Sequence, residues 1–333
     1  MVAQIGRNYI AARPSKLISR IISYALFEGR PLTTSGQWIN PFLFAHFALE
    51  KRFPQVKSVR QPLFILGTGR SGTTILGVVL SMHRDVGFLN EPKALWHSIY
   101  PDEDLVGSYS RGLARYRLDA SDADKLVRKN GRRLFGAYLA ATFSTRVVDK
   151  YPELIFRVPF VKAIFPDAKF LFLVRNGWDT CHSIEGWSDR FGKKVKQETH
   201  DWWGADRRKW NLILDQLVPE HAELARHVNE MRNWSNQTDM AAVEWMLSMQ
   251  EGLRLQLEYP DDILRVNYEF LCEHPHAELT RIAEFAGLSC DDEVFFQYGK
   301  ETLKPAAPKK LLELHPMIND AFEDMMHKLG YDK

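Results

Sequence analysis

The chain has 333 residues, 45% of them hydrophobic and 26% charged, which suits one large α/β domain with a real core and some appended helices. Its 44 basic side chains nearly balance 42 acidic ones, for a formal charge of +2, so no global charge calls for a nucleic-acid partner. Cys181, Cys272 and Cys290 form neither a disulfide framework nor a zinc spacing, no apolar run reaches the roughly 18 residues of a bilayer span, and Ser19, Arg20 and Ser23 interrupt the only signal-like stretch, so a cytoplasmic location is the default expectation.

Residues 1–58 read as a helical N-terminal extension. Between 15 and 28 the apolar residues Leu17, Ile18, Ile21, Ile22, Ala25 and Leu26 share one helical face, with Lys16, Ser19, Arg20 and Ser23 opposite. An aromatic segment, Trp38 to Phe47, follows. Two readings compete: a peripheral membrane contact and, favoured because amphipathic helices usually face a core, a helix packed on the main domain.

The main domain, 59–333, opens at Pro62. Leu63 to Leu66 is a short apolar run bounded by Pro and Gly and reads as a buried strand; Phe170 to Val174 reads as a second and Ile263 to Val266 as a third. Helices are expected from about Gly72 to Met82, over 131–143, from near Asp179, and over 239–258. Alternating strands and helices predict an α/β fold, a P-loop-like parallel sheet flanked by helices. Phe191 to Gln197 reads as a mobile surface loop, and residues 93–130, with Tyr109 and Tyr116, as a cover for an acceptor cleft.

Pro62 to Thr74, PLFILGTGRSGTT, carries the chemistry. Gly67, Gly69 and Gly72 lead a strand into a helix N-terminus, where free amides and the helix dipole favour an anion. A nucleotide-hydrolysing P-loop places Lys directly after the last glycine. Here Thr73 stands there, the cation is Arg70 inside the loop, and Ser71, Thr73 and Thr74 supply hydroxyls. Such a loop binds phosphate or sulfate and is poorly equipped for γ-phosphate transfer from magnesium-ATP.

This segment resembles the 5′-phosphosulfate loop of the sulfotransferase superfamily, a basic residue followed by Ser-Gly-Thr-Thr. Pro166 to Ile184, PDAKFLFLVRNGWDTCHSI, is similar to that superfamily's 3′-phosphate motif, and Ile263 to Leu288 to its C-terminal strand and helix. Spacing is closest to the protein-tyrosine and carbohydrate branches. The resemblance implies 3′-phosphoadenosine 5′-phosphosulfate as donor, bound by Gly69 to Thr74, Arg175, Ser183 and Lys304 (the Lys304-Pro305 pair), with no metal. It also implies Glu91, in FLNEP, as general base, with Arg70 and Lys150, in Lys150-Tyr151-Pro152, stabilising the departing phosphate. A partly buried Glu91 near the donor is expected to have a raised proton affinity, and His97 is the reserve base.

The Arg-Lys-Gly clamp of cytosolic aryl sulfotransferases has no counterpart, which argues against a small phenol or steroid; the resemblance to the other branches makes a carbohydrate, glycolipid or other hydroxyl the expected acceptor. Trp187, Trp202, Trp203 and Trp210 flank Lys193, Lys194 and Lys196; core packing and solvated lysines are the favoured reading, an acceptor wall the other. Lys309 and Lys310 mark the tail near Lys304 as generally basic. The competing functions are a P-loop kinase, against which the strand ending in Arg175 counts, and a non-catalytic nucleotide-binding module, which would not need Glu91 or Lys150.

Overall fold

The computed structural model describes residues 4–195, 197–305, 307–308 and 311–331; Lys196, Lys309 and Lys310 lie outside the described residues. Its centre is a five-stranded sheet in the order β2-β3-β1-β4-β8, every neighbouring pair parallel. The strands are β1 (Leu63–Gly67), β2 (Val86–Asn90), β3 (Arg146–Lys150), β4 (Lys169–Val174) and β8 (Ile263–Asn267). β1 is buried at every residue and β4 at all but Lys169, as expected of strands covered on both faces. Phe64, Phe170 and Phe172 pack to one side, Ile65, Leu171 and Leu173 to the other.

Two of the five strands, β2 and β3, were absent from the sequence reading. Within the segment expected to be a surface loop, Phe191 to Gln197, Lys193–Val195 form β5, which joins β6 (Glu198–Asp201) and β7 (Gly204–Ala205) in a small antiparallel sheet. Among the described residues no helix is long and apolar enough to cross a membrane.

Five helices matter for the site: α1 (Ser15–Leu26), α2 (Asn40–Glu50), α3 (Thr73–Leu80), α4 (Gly177–Phe191) and α5 (Gln237–Glu258). Helix α1 lies along the edge strand β2 with its polar face inward. Lys16 Nζ donates to the carbonyls of Arg84, at 3.0 Å, and Val86, at 2.6 Å, and Arg20 Nη1 donates to the carbonyl of Phe88 at 2.9 Å. Edge-strand carbonyls need partners when they are covered, and two long basic side chains reach them. Lys16 and Arg20 are therefore 7% and 3% exposed, while Ile18 and Ile21 face outward.

Candidate active site

In a parallel sheet, ligands bind beyond the carboxyl ends of the strands. Every strand of the sheet carries a residue of the main site at such an end. Gly67 closes β1 and opens the phosphate loop, Glu91 follows β2, Lys150 ends β3, Arg175 follows β4 and Tyr268 follows β8.

The loop's path is dictated by its glycines. Gly67 has φ +138°, and a Cβ there would stand 2.6 Å from the carbonyl oxygen of Leu173 on β4. Gly72 has φ +94°, and a Cβ would stand 2.2 Å from the ring of Tyr268. Both positions need a residue without a side chain. Ser71 and Thr73 are buried, and Ser71 Oγ donates to the carbonyl of Thr68 at 2.6 Å, tightening the turn. Thr74, Gly69 and Arg70 line a cavity of about 350 Å³.

Residues far apart in sequence meet at the loop. Arg70 Nε donates to Ser183 Oγ, on α4, at 3.1 Å, and Arg175 Nη1 donates to the carbonyl of Arg70 at 3.1 Å. Arg175 lies over the Tyr268 ring, 4.7 Å from its centroid, and 3.5 Å from Asp179. Partial burial lowers the pKa of Arg70 from its ordinary value and Arg175 adds to the effect, with Glu91 opposing. This is a concentration of positive charge suited to an anion. Lys304 does not join it: the side chain is exposed and donates to the carbonyl of Lys300, while its neighbour Pro305 lines the cleft beside Arg175.

Glu91 lines the same cavity as Arg70. Its φ of +48° is unusual for a side chain other than Gly and Asn, and is held by its N–H on the carbonyl of Lys150 and its carbonyl on the N–H of Lys93, both 2.7 Å. The carboxylate pairs with Lys150, which is 3% exposed, and lies 3.4 Å from Lys93 Nζ. Burial alone would raise the pKa of this carboxyl. The two lysines outweigh burial and hold it well below the usual carboxylate range, so the expected rise in proton affinity is reversed.

The charges continue in alternation. Lys93 is 3.8 Å from Glu153, Lys209 is 3.4 Å from Glu153 and 2.5 Å from Glu244, and Glu244 accepts from Trp202 Nε1 at 2.7 Å. Sequence reading missed Lys93, Glu153, Lys209 and Glu244. The first two sit two and three residues from Glu91 and Lys150 and were findable by proximity; the last two carry no local signal.

The extension also reaches the site. Glu28, bound in a fork by Arg20, accepts from the N–H of Asn90 at 2.8 Å, and Tyr24, Glu28 and Leu32 to Thr34 line the cavity. Of the region 93–130, Lys93 and Val106 line it; Tyr116 is wholly buried in the core, and Tyr109 packs on Phe44 and His97. His97 is not among the lining residues, and burial lowers its pKa. Of the four tryptophans, Trp203 and Trp210 are core, as favoured, whereas Trp187 and Trp202 face the cavity and meet edge to face, centroids 5.4 Å apart. Among the described residues no cluster of three His, Cys, Asp or Glu has the arrangement of a metal site.

Residues 62–211, which include the loop, Glu91, Lys150, Arg175 and Ser183, match the profile of the Sulfotransferase family. Over this stretch, a little under half of its length, the chain is similar to the sulfotransferase family. It is 31% identical over 189 residues to a protein-tyrosine sulfotransferase of Drosophila melanogaster, covering 55% of this chain and 36% of that one. It is 24% identical over 315 residues to protein-tyrosine sulfotransferase A of Caenorhabditis elegans, covering 84% and 72%. The chain thus spans about a third of the length of the fly relative and most of the nematode one. A solved sulfotransferase from Mycobacterium avium superposes with a TM-score of 0.49 at 14% identity, over 86% of this chain and 80% of that chain.

Proposed function

We propose that this chain is a sulfotransferase that moves a sulfuryl group from 3′-phosphoadenosine 5′-phosphosulfate to an acceptor hydroxyl in the cavity shared by Arg70 and Glu91. The observation that carries the reading is the meeting of the Arg70–Ser183–Arg175 cluster with the Glu91–Lys150 pair at the carboxyl ends of neighbouring strands. Arg175 and Ser183 hold the 3′-phosphate, and the loop amides and Arg70 hold the 5′-phosphosulfate. Glu91 takes the proton of the attacking hydroxyl as the new sulfur–oxygen bond forms. Arg70 and Lys150 stabilise the phosphate oxygen as its bond to sulfur breaks.

A carboxylate held so far below the ordinary range is a weak base. When Lys150 turns to the departing phosphate, Glu91 keeps Lys93 as its neighbour but loses its closest cation, and its basicity rises as transfer proceeds. The lysine pair thus couples donor engagement to base strength.

The names of the relatives favour a tyrosine phenol over the carbohydrate or glycolipid hydroxyl expected from sequence, and the Trp187–Trp202 pair offers an aromatic wall to either. The test has two stages. Thermal unfolding with 3′,5′-adenosine bisphosphate, without magnesium, should show added stability of roughly 2.7 kcal/mol at a hundred times the dissociation constant. Labelled donor is then offered with tyrosine peptides and with sugars. Stabilisation by magnesium-ATP and not by the bisphosphate would transfer the chain to the kinase reading.

A further inference from the structure

Helix α1 is turned inside out relative to its sequence pattern. It turns its cationic face to the edge of β2, so much of its apolar face stands in solvent: Ile18 is 64% exposed, with Ile21 and Leu26 beside it, while Ile22 packs on the core. Helix α2 buries Leu43 and Phe47 and leaves a second apolar face outside. Its exposed residues are Pro41, Phe42, Ala45, Ala48 and Leu49, an unbroken apolar stripe at helical spacing. Just before it Trp38 is 75% exposed and meets Phe42 edge to face.

The charge distribution says what covers such a surface. No exposed residue between 15 and 49 is charged, and Glu28, the one carboxylate in that span, is buried against Arg20. Exposed arginines stand on either side of the span, Arg7 before α1 and Arg52 after α2. A protein partner of ordinary composition would meet a polar rim around the apolar centre. Here an aromatic and aliphatic face without exposed charge is flanked by exposed arginines, with half-buried Glu50 at its margin turned to His46, the pattern of a surface that inserts side chains among acyl chains and sets arginines at the phosphates.

We propose that this face docks on a lipid bilayer carrying anionic headgroups. The segment joining the two helices fixes the consequence. Tyr24, at the end of α1, and Leu32 to Thr34 line the catalytic cavity, so docking brings one wall of the cavity to the bilayer surface. That the acceptor is presented from the bilayer rests on the reading of the cavity given above. Docking itself needs no turnover.

The test is flotation of the full chain with vesicles of phosphatidylcholine alone and of phosphatidylcholine with phosphatidylglycerol, alongside light scattering of the protein without lipid. The chain should float with the phosphatidylglycerol vesicles. The combined variant Ile18→Ser, Ile21→Ser, Trp38→Ser, Phe42→Ser should bind at least about tenfold more weakly. These side chains are solvent-exposed, so its unfolding midpoint should match wild type. A second variant, Arg7→Glu with Arg52→Glu, checks the charge and should also bind more weakly. Wild type that stays unbound, or serine variants that bind as well as wild type, overturn the proposal. So does a dimer that the serine substitutions convert to monomer while wild type ignores vesicles. Bisphosphate binding, measured on the same samples, separates failure of docking from failure of the sulfotransferase reading.

Discussion

Replacing Glu91 by Gln keeps the size of the side chain and removes both its charge and its ability to take a proton. Loss of a general base lowers transfer by about 10²–10⁴-fold, equivalent to about 3–5 kcal/mol of barrier. The structure adds a stability cost. Lys150 is almost fully buried and loses its paired carboxylate, whereas Lys93 keeps Glu153 at 3.8 Å. A buried charge left unpaired costs about 3–5 kcal/mol, and because the Glu91 side chain is about one third exposed, with the new amide still accepting from Lys150, about 3 kcal/mol is an upper figure. Over 333 residues that lowers the unfolding midpoint by about 4 °C. Three readouts are needed: transfer with labelled donor, the midpoint without ligand, and the rise in midpoint with 3′,5′-adenosine bisphosphate. The variant should lose transfer, melt a few degrees lower and keep its response to the bisphosphate. Transfer at the wild-type rate would refute the assignment of Glu91 as base.

Arg175→Ala should weaken bisphosphate binding by about 10–100-fold in titration calorimetry, as expected for loss of a charge-assisted hydrogen-bond donor. Gly72→Ala places a Cβ 2.2 Å from the Tyr268 ring at φ +94°, and should lower stability by about 1–3 kcal/mol and abolish the bisphosphate response. Chelators should leave transfer unchanged, because Arg70 and Lys150 supply the positive charge that magnesium supplies to a γ-phosphate; a loss reversed by added metal would reject this. Burial lowers the pKa of Lys16 to about 8. Between that value and the ordinary lysine value near 10.4 the unfolded chain binds the extra proton, so stability rises with pH across that window. Relative to Lys16→Met, wild type should gain at most about 3 kcal/mol between pH 8 and 10, measured by urea unfolding.

Where the sequence was legible, one physical rule dominated. β1 and β4 are continuous apolar runs stopped by glycine or a polar turn, so they and the anion-binding residues after them could be read directly. β3 could not. It contains Asp149 and Lys150, both buried, and Asp149 is accommodated by the indole N–H of Trp96 at 2.8 Å, a partner 53 positions away. β2 runs Val-Gly-Phe-Leu-Asn, too short and mixed to separate from a turn. The helical period of α1 was legible, but its orientation was not, because the carbonyls of β2 compete for Lys16 and Arg20 and win over the burial of Ile18 and Ile21. The lining of the cavity by Tyr24 and Leu32 to Thr34 is a tertiary outcome with no local pattern.

The alternating chain from Lys150 through Glu91, Lys93, Glu153 and Lys209 to Glu244 has an evolutionary consequence. Three cations and three anions cancel, so any single replacement that changes charge leaves an odd one stranded in a poorly hydrated wall. A descendant enzyme acquiring a different acceptor can therefore alter this wall cheaply only two neighbours at a time. The six positions should be inherited as a block, and should diverge as matched couples of opposite sign.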